Sequence, residues 1–417
     1  MGRAYCAKKY IDIKLINPKI IAMKTNIGVF FGGCSTEHEI SVISASQAMS
    51  AIDRSIYDVT PIYITKQGHF YTGDSLFDVA NYRDVPSLLK KCRQVYLRPV
   101  KGDFNLYLMN KPMFGSNVAA KLDVAIPVLH GSYGEDGTFE GVLDAMGIPY
   151  AGCNVLASAN GMDKITMKMI LQACGVPVVD YVWFTDGQWR SDRDAMIANV
   201  ENTLGYPVIV KPANLGSSVG IGRAADRDTL IDKINEAEKY SSRIIVEHMV
   251  ENLHEVNCSV LGDCDEYETS VCEEPIKSGE ILSYEDKYMG GTKGAKGMQA
   301  SQKRIPADLP EDVSDRIRFL AGETFRVLSC HGVSRVDVIM DADNGNIYVN
   351  EINTIPGSLS FYLWEATGLS FDKLMDRLVK LALKRQRQRD MKVVSYDQNI
   401  FSLGGGVKGS KGCKGVK

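Results

Sequence analysis

The sequence predicts a multi-domain α/β chain. Three observations carry that prediction: apolar strand-like runs that alternate with helical patterns, glycine-rich turns at the ends of several runs, and a length beyond one compact core. The runs are Ile27 to Phe31, Val59 to Ile64, Val124 to Val128, Val208 to Val210, Ile244 to Glu247, Val256 to Leu261, Val336 to Met340 and Ile347 to Asn350. The first block, residues 25–152, reads strand, Gly32-Gly33 turn, helix through Ser41 to Ile52, then further strands. That pattern suits an open parallel sheet with its ligand site beyond the strand carboxyl ends. An insert from Phe70 to Met113 is polar and irregular and resolves into no regular element.

A second unit, 153–247, opens with small residues, continues into a helix around Asp163 to Cys174, and closes with the strand pair Tyr206 to Lys211 and Arg243 to Glu247. The third unit, 248–390, carries the Gly-rich stretch Met289 to Gly297, a helix from Glu311 to Leu328, two strands ending in Asp337 and Glu351, and a last helix from Phe371 to about Gln386. Residues 1–24 read as a poorly ordered extension, with lysines where a signal peptide would be apolar, and 391–417 as a disordered Gly- and Lys-rich tail.

Composition excludes several function classes. Hydrophobic content of 45% and charged content of 24% over 417 residues are ordinary for a globular chain, and no apolar run approaches a bilayer span, so no membrane partner is expected. A net charge of -3 with both signs interspersed offers no case for a nucleic-acid partner. The ten cysteines are scattered without zinc-ligand spacing, which suits reduced thiols and a cytoplasmic location.

Four stretches carry chemistry. Lys211 is delivered by a strand into the loop Pro212 to Gly220, whose glycines and hydroxyls suit polyphosphate, although a Gly/Ser turn by itself is more often only a turn and no Walker A lysine follows. Arg335-Val336-Asp337 and Glu351-Ile352-Asn353 lie on two strands of period two. Asp337, Glu351 and Asn353 can therefore face one site as hard oxygen ligands for magnesium, against the plainer reading of a salt bridge from Arg335. His130 begins a glycine-rich loop directly after the strand Val124 to Val128, where α/β proteins place substrates. Tyr284 to Tyr288, before a Gly-rich run, reads as a mobile lid or an ordinary surface loop.

Taken in order, Gly32-Gly33 with Ser35-Thr36-Glu37, His130-Gly131 with Gly134 to Gly137, Met162-Asp163-Lys164, the Lys211 loop, Asp286-Lys287-Tyr288, Arg335 to Asp337 and Glu351 to Thr354 with Pro356-Gly357 resemble the signature series of the D-alanine:D-alanine ligase family, across about 25 to 385. The resemblance implies an ATP-grasp fold in which two α+β units clamp ATP and the N-terminal domain holds the first D-alanine. It implies ATP-dependent synthesis of D-alanyl-D-alanine through a D-alanyl phosphate, for peptidoglycan precursors, by a homodimer.

Carried over by motif, Lys164 and Lys211 would bind phosphates, Glu247 the adenine amino group and Glu255 the ribose. Ser218, Met249, Val250 and Lys287 would also belong to the ATP site, with Lys287 reaching the transferred phosphoryl group. Asp337, Glu351 and Asn353 would hold two Mg2+, or Mn2+ in their place. Glu37 would pair with the ammonium of the first D-alanine, His130 would lie near its carboxylate, and Ser217 with Tyr288 would complete a triad ordering the loop over it. Arg335 and the backbone N–H of Gly357 would stabilise the oxyanion.

The resemblance implies that Tyr288 favours the dipeptide over the D-lactate ester. The departure lies after Pro356-Gly357: where familiar members show a His-Ser-Leu cluster for the second substrate's carboxylate, this chain has Ser358 to Leu363, with Tyr362 or Ser360 as substitutes and D-serine as an alternative acceptor. A ligase or carboxylase of the same fold with another product would lack the Glu37 and His130 motifs. A regulatory nucleotide-binding protein would lack a metal ligand or a phosphate lysine, and neither is missing.

Overall fold

The computed structural model describes residues 24–216, 219–275 and 303–395, and builds three sheets from them. In the first, β1 (Thr25–Gly32) pairs in parallel with β2 (Tyr57–Ile64) on one side and β7 (Val124–Val128) on the other. Ile27 to Gly32 and all of β7 are buried, as expected of parallel strands covered on both faces. Helix α1 (His38–Ala51) follows the Gly32-Gly33 turn, so the helical reading starts three residues earlier than the sequence suggested. Gly32 takes φ +92, and a β-carbon there would sit 2.3 Å from the Ile64 carbonyl, so only glycine fits this turn.

The stretch read as irregular in fact supplies three of the seven strands of this sheet, with a fourth following it. β3 (Phe70–Thr72), the short helix α2 (Val85–Lys90), β4 (Arg93–Leu97), β5 (Asn105–Leu108) and β6 (Val118–Lys121) extend it in the order β6-β5-β4-β3-β2-β1-β7, all antiparallel beyond β2. Strands of three to five half-buried residues carry too short an alternation to stand out in sequence, and cross-strand pairing supplies what periodicity does not.

Helix α3 (Thr138–Met146) covers the sheet and buries Glu140, whose Oε2 has no hydrogen-bond partner among the described residues. Burial pushes its carboxyl up to about 8. Between the ordinary carboxylate value and that point the unfolded chain ionises and the folded one does not, so this group costs stability as pH rises through the window. Glu140→Gln is therefore expected to raise the unfolding free energy at pH 7.5 by a few kcal/mol, at about 1.4 kcal/mol per pKa unit, and so to raise the melting temperature there, and to do little at pH 4.5. Calorimetry at the two pH values checks this; equal shifts at both would contradict it.

The second unit begins with α4 (Val155–Met162) and α5 (Lys164–Ala173), where one helix was expected. Asp163 makes the break: its backbone is extended and its side chain accepts from Thr166 N at 2.8 Å, an N-cap that sets Lys164 as the first helical residue. Then come β8 (Tyr181–Thr185), α6 (Asp186–Ser191), α7 (Arg193–Thr203), β9 (Val208–Pro212), β10 (Gly222–Ala224), α8 (Arg227–Ala237) and β11 (Arg243–His248), in a four-stranded sheet ordered β10-β9-β11-β8. The predicted pairing of β9 with β11 is present, Lys211 opposite Ile245.

The third sheet, β14-β13-β12-β15-β16, is antiparallel. Its strands are β12 (Leu253–Gly262), β13 (Tyr267–Pro275), β14 (Lys303–Arg304), β15 (Gly332–Asp341) and β16 (Ile347–Asn353), backed by α9 (Glu311–Val327). After β16 come a tight turn at Gly357–Ser360, α10 (Phe361–Thr367) and α11 (Phe371–Asp390), which is longer than predicted. One apolar core joins α1 residues Val42, Ala45 and Met49 to Leu374, Leu378 and Val379 of α11. The buried Arg385 adds donations to the carbonyls of Tyr150 (2.6 Å) and Gly152 (2.7 Å), with its guanidinium over the Tyr150 ring. The last helix of the described residues thus fastens onto the elements of the first sheet.

Candidate active site

The strand register puts a polar row across the third sheet. Glu273 on β13 stands opposite Asn257 on β12, Asn257 opposite Asp337 on β15, and Asp337 opposite Glu351 on β16. Arg335 pairs with Asn353 one step along, so the period-two reading of both motifs holds in three dimensions. A register irregularity follows directly after Asp337, the kind of local kink that re-aims side chains beside functional sites.

Asp337 is buried and held by both arms of Arg335, at 2.6 and 2.7 Å, and Asn353 Nδ2 donates to its Oδ2 at 3.1 Å. Burial works against the Arg335 charge, but Asp337 outweighs it and raises the guanidinium further. Lys164 lies 3.3 Å from Glu351 and donates to the carbonyl of Leu215 at 2.9 Å, linking the start of α5, the acidic strand and the Gly/Ser loop.

Lys211 reaches Glu247 at 2.8 Å and Asn350 Oδ1 at 3.3 Å. Lys168, fully buried, lies 3.3 Å from the other oxygen of Glu247. Burial opposes the Glu247 charge, yet the two ammonium groups win and hold that carboxyl down at about 2. Lys168 was not singled out from sequence, although its i,i+4 spacing from Lys164 on α5 was a signal for one helical face. Met249 and Val250 form the link from β11 to β12, between the second and third sheets, and Glu255 lies on β12.

Glu37, buried, sits at the entry to α1. A β-carbon on Gly216 would lie 3.0 Å from Glu37 Oε1 and one on Gly131 3.7 Å from its Cδ, so Glu37 is between the Gly/Ser loop and the His130 loop. Glu135 lies beside it and accepts from Gly131 N at 3.0 Å; burial, then the Glu37 charge, push its carboxyl well up. Sequence reasoning quoted Glu135 only as part of a motif, because the repulsion between two carboxylates far apart in the chain is visible only in space.

His130 is buried and both ring nitrogens are engaged, Nδ1 with the Ile355 carbonyl and Nε2 with Ser44 Oγ, each at 2.8 Å. Burial pushes the imidazole down to about 4, so it is neutral at pH 7 and its hydrogen bonds go to protein groups. Beyond Gly357, residues Ser358, Leu359 and Ser360 take φ of +52, +53 and +51. Left-handed geometry costs about 1–2 kcal/mol per L-residue. Ser360 is fully buried with an Oγ that has no partner among the described residues, and Tyr362 OH takes a hydrogen bond from Lys303 at 3.2 Å, while Lys303 also pairs with Glu273 at 2.9 Å. Ser217, Ser218, Lys287 and Tyr288, and with them the lid, lie outside the described residues.

Two family models match the chain: the D-ala D-ala ligase N-terminus over residues 26–153 and the D-ala D-ala ligase C-terminus over 170–380. The chain belongs to the D-alanine:D-alanine ligase family. Its relatives in that family include the D-alanine--D-alanine ligases of Thermosipho melanesiensis, 38% identical over 91% of this chain and 98% of that protein, and of Caldicellulosiruptor bescii, 39% identical over 90% and 99%. Among solved ligase structures, the VanG D-Ala:D-Ser ligase from Enterococcus faecalis superposes with TM-score 0.73 at 30% identity, over 86% of this chain and all of that one. The D-alanine-D-alanine ligase from Coxiella burnetii gives 0.73 at 29%, over 88% and 96%. These likenesses make the fold an ATP-grasp fold and the chain an ADP-forming ligase.

Proposed function

We propose that this chain joins two D-alanines into D-alanyl-D-alanine at the expense of ATP, through D-alanyl phosphate, as a step in making peptidoglycan precursors. The observation that carries the reading is the convergence of Lys164 on Glu351 and of Glu37 on Gly216. These contacts support the reading because they bring a lysine suited to phosphate, an acidic strand and a carboxylate suited to the substrate's ammonium to neighbouring residues of one Gly/Ser loop, Leu215 and Gly216.

A carboxylate is a poor electrophile, and phosphorylation supplies it with a leaving group. In this reading Lys164 and Lys211 neutralise nucleotide phosphates, Glu247 with Met249 and Val250 receives the adenine, and Glu255 the ribose. Glu37 holds the first D-alanine by its ammonium. Arg335 and the Gly357 N–H take the charge that develops on the carbonyl oxygen as the second amine attacks.

Asp337, Glu351 and Asn353 fit a magnesium site. Two carboxylates and an amide in register offer hard oxygen donors, and fewer than three acidic ligands leave positions for phosphate oxygens and water. Two Mg2+ bound there would supply electrophilic polarisation of the transferred phosphoryl group. The domain divisions at 152 and 247, a homodimer and a cytoplasmic location belong to the same proposal; among the described residues no helix is long and apolar enough to cross a membrane.

The test is ADP release with D-alanine, D-serine, L-alanine and D-lactate in turn, with mass analysis of the product. D-alanine alone is expected to give D-alanyl-D-alanine, and L-alanine nothing. A mixed product formed at least as fast from D-alanine and D-serine would overturn this reading and make the altered Ser358 to Leu363 segment the acceptor site of a D-alanine:D-serine ligase.

A further inference from the structure

Three consecutive L-residues in the left-handed region do not hold themselves there; the surroundings must over-determine them. Around the turn Gly357–Ser360 one arrangement does so. Ser358 N donates to Ser44 Oγ at 2.9 Å, Ser44 Oγ lies 2.8 Å from His130 Nε2, and His130 Nδ1 lies 2.8 Å from the Ile355 carbonyl. Ser44 is fully buried on α1, and His130 is nearly so.

Hydrogen-bond chemistry fixes every proton in this ring. A carbonyl only accepts, so His130 carries its hydrogen on Nδ1 and Nε2 is a bare lone pair. The Ser44 hydroxyl must then donate to Nε2, which leaves its own lone pairs for the Ser358 N–H. The backbone from Ile355 to Ser358 is thus gripped at both ends by two side chains of the first domain, on either side of Gly357.

We propose that Ser44 is a positioning residue of the ligase: through Ser358 and His130 it holds the left-handed turn in place, and so keeps the Gly357 N–H aimed at the carbonyl under attack. This rests on the ligase reading of the site. None of the motifs read from the sequence includes Ser44, which lies inside α1, about two turns beyond Glu37. A displacement of the oxyanion donor by about 1 Å is enough to cost roughly a hundredfold in rate. The loss should fall on the second half of the reaction, where the acylphosphate meets the amine, and leave ATP capture alone.

Two measurements test it. In the full-length chain without substrates, 15N spectra of the histidine side chains, with His130 assigned by its absence in His130→Gln, are expected to show hydrogen on Nδ1 and none on Nε2 at pH 7; hydrogen on Nε2 would overturn the ring. Ser44→Ala is expected to lower kcat by roughly 30- to 100-fold with the KM for ATP within about twofold. The ratio of ADP released to dipeptide formed should rise from one to about two or more as stranded acylphosphate is hydrolysed.

Glycine accepts the left-handed region without strain, so adding Ser358→Gly to Ser44→Ala should recover about fivefold or more of the lost kcat. An unchanged kcat and ratio would overturn the proposal. So would a loss accompanied by an equal rise in the KM for ATP, a ratio fixed at one and a lowered melting temperature, which is the signature of ordinary packing damage. If the unaltered chain makes no D-alanyl-D-alanine, the ligase reading fails on its own. The imidazole spectra, and the shift of the Ser358 amide on Ser44→Ala, then decide the positioning role without any turnover; an unmoved amide would reject it.

Discussion

Glu351→Gln is expected to lower kcat by about a thousandfold or more while leaving the melting temperature within a few degrees of the unaltered chain. The change is isosteric and Glu351 is only partly buried, so packing is preserved. What is lost is one of the two carboxylates of the proposed magnesium site, and with it half of that ligand set's formal negative charge. The partner Lys164 at 3.3 Å keeps its contact with the Leu215 carbonyl and so does not become an isolated buried charge. Titration of Mn2+ onto the nucleotide complex, followed by its paramagnetic signal, should show weakened metal binding alongside the kinetic loss. Full activity with unaltered metal affinity would remove Glu351 from the proposed metal site.

The second large effect is expected at Arg335, and it combines two losses. Arg335→Ala removes both hydrogen bonds to the buried Asp337, leaving an uncompensated carboxylate; breaking such a pair costs about 3–5 kcal/mol. It also removes the proposed oxyanion donor, which by itself is worth roughly 100- to 1000-fold in kcat. Arg335→Lys separates them. A lysine restores a positive charge beside Asp337 and should recover most of the melting temperature, but it offers no planar fork, so the catalytic loss should persist. Recovery of activity by lysine would mean that charge alone matters at this position, and would remove the bidentate geometry from the account of the site.

Acid sensitivity of the unaltered chain should have two visible components. Glu247 is held down at about 2, so it contributes stability above the ordinary carboxylate range that is lost as pH falls towards 2. His130, held at about 4, binds its proton later than the unfolded chain does, so stability also falls between about 6.5 and 4. The histidine therefore acts first on acidification and the lysine-bound carboxylate last.

How far the molecule was legible in sequence depends on the kind of signal. Long buried strands announced themselves, since a run such as Ile27 to Phe31 is apolar on both faces and bounded by a glycine that only one backbone geometry accepts. The paired motifs around Asp337 and Glu351 were readable because period two is a local rule, and two adjacent strands needed only a register to align them. Short marginal strands were not readable. The stretch from Phe70 to Met113 owes its order to neighbours in the sheet more than to its own alternation.

Within the site, local chemistry pointed to His130, Lys211, Arg335, Asp337, Glu351 and Asn353, and the family resemblance added Glu37 and Lys164, each in a motif of a few residues. Those short patterns settled the α/β class and the family by themselves, because backbone geometry and side-chain chemistry at close spacing are properties of the chain. Tertiary structure alone decided that Lys168 shares Glu247 with Lys211, that Glu135 carries a raised carboxyl beside Glu37, and that His130 is a neutral link from Ser44 to Ile355. The reason is physical: burial, like-charge repulsion and the direction of a shared proton depend on which groups folding brings within 3–4 Å, and sequence separation carries no information about that distance.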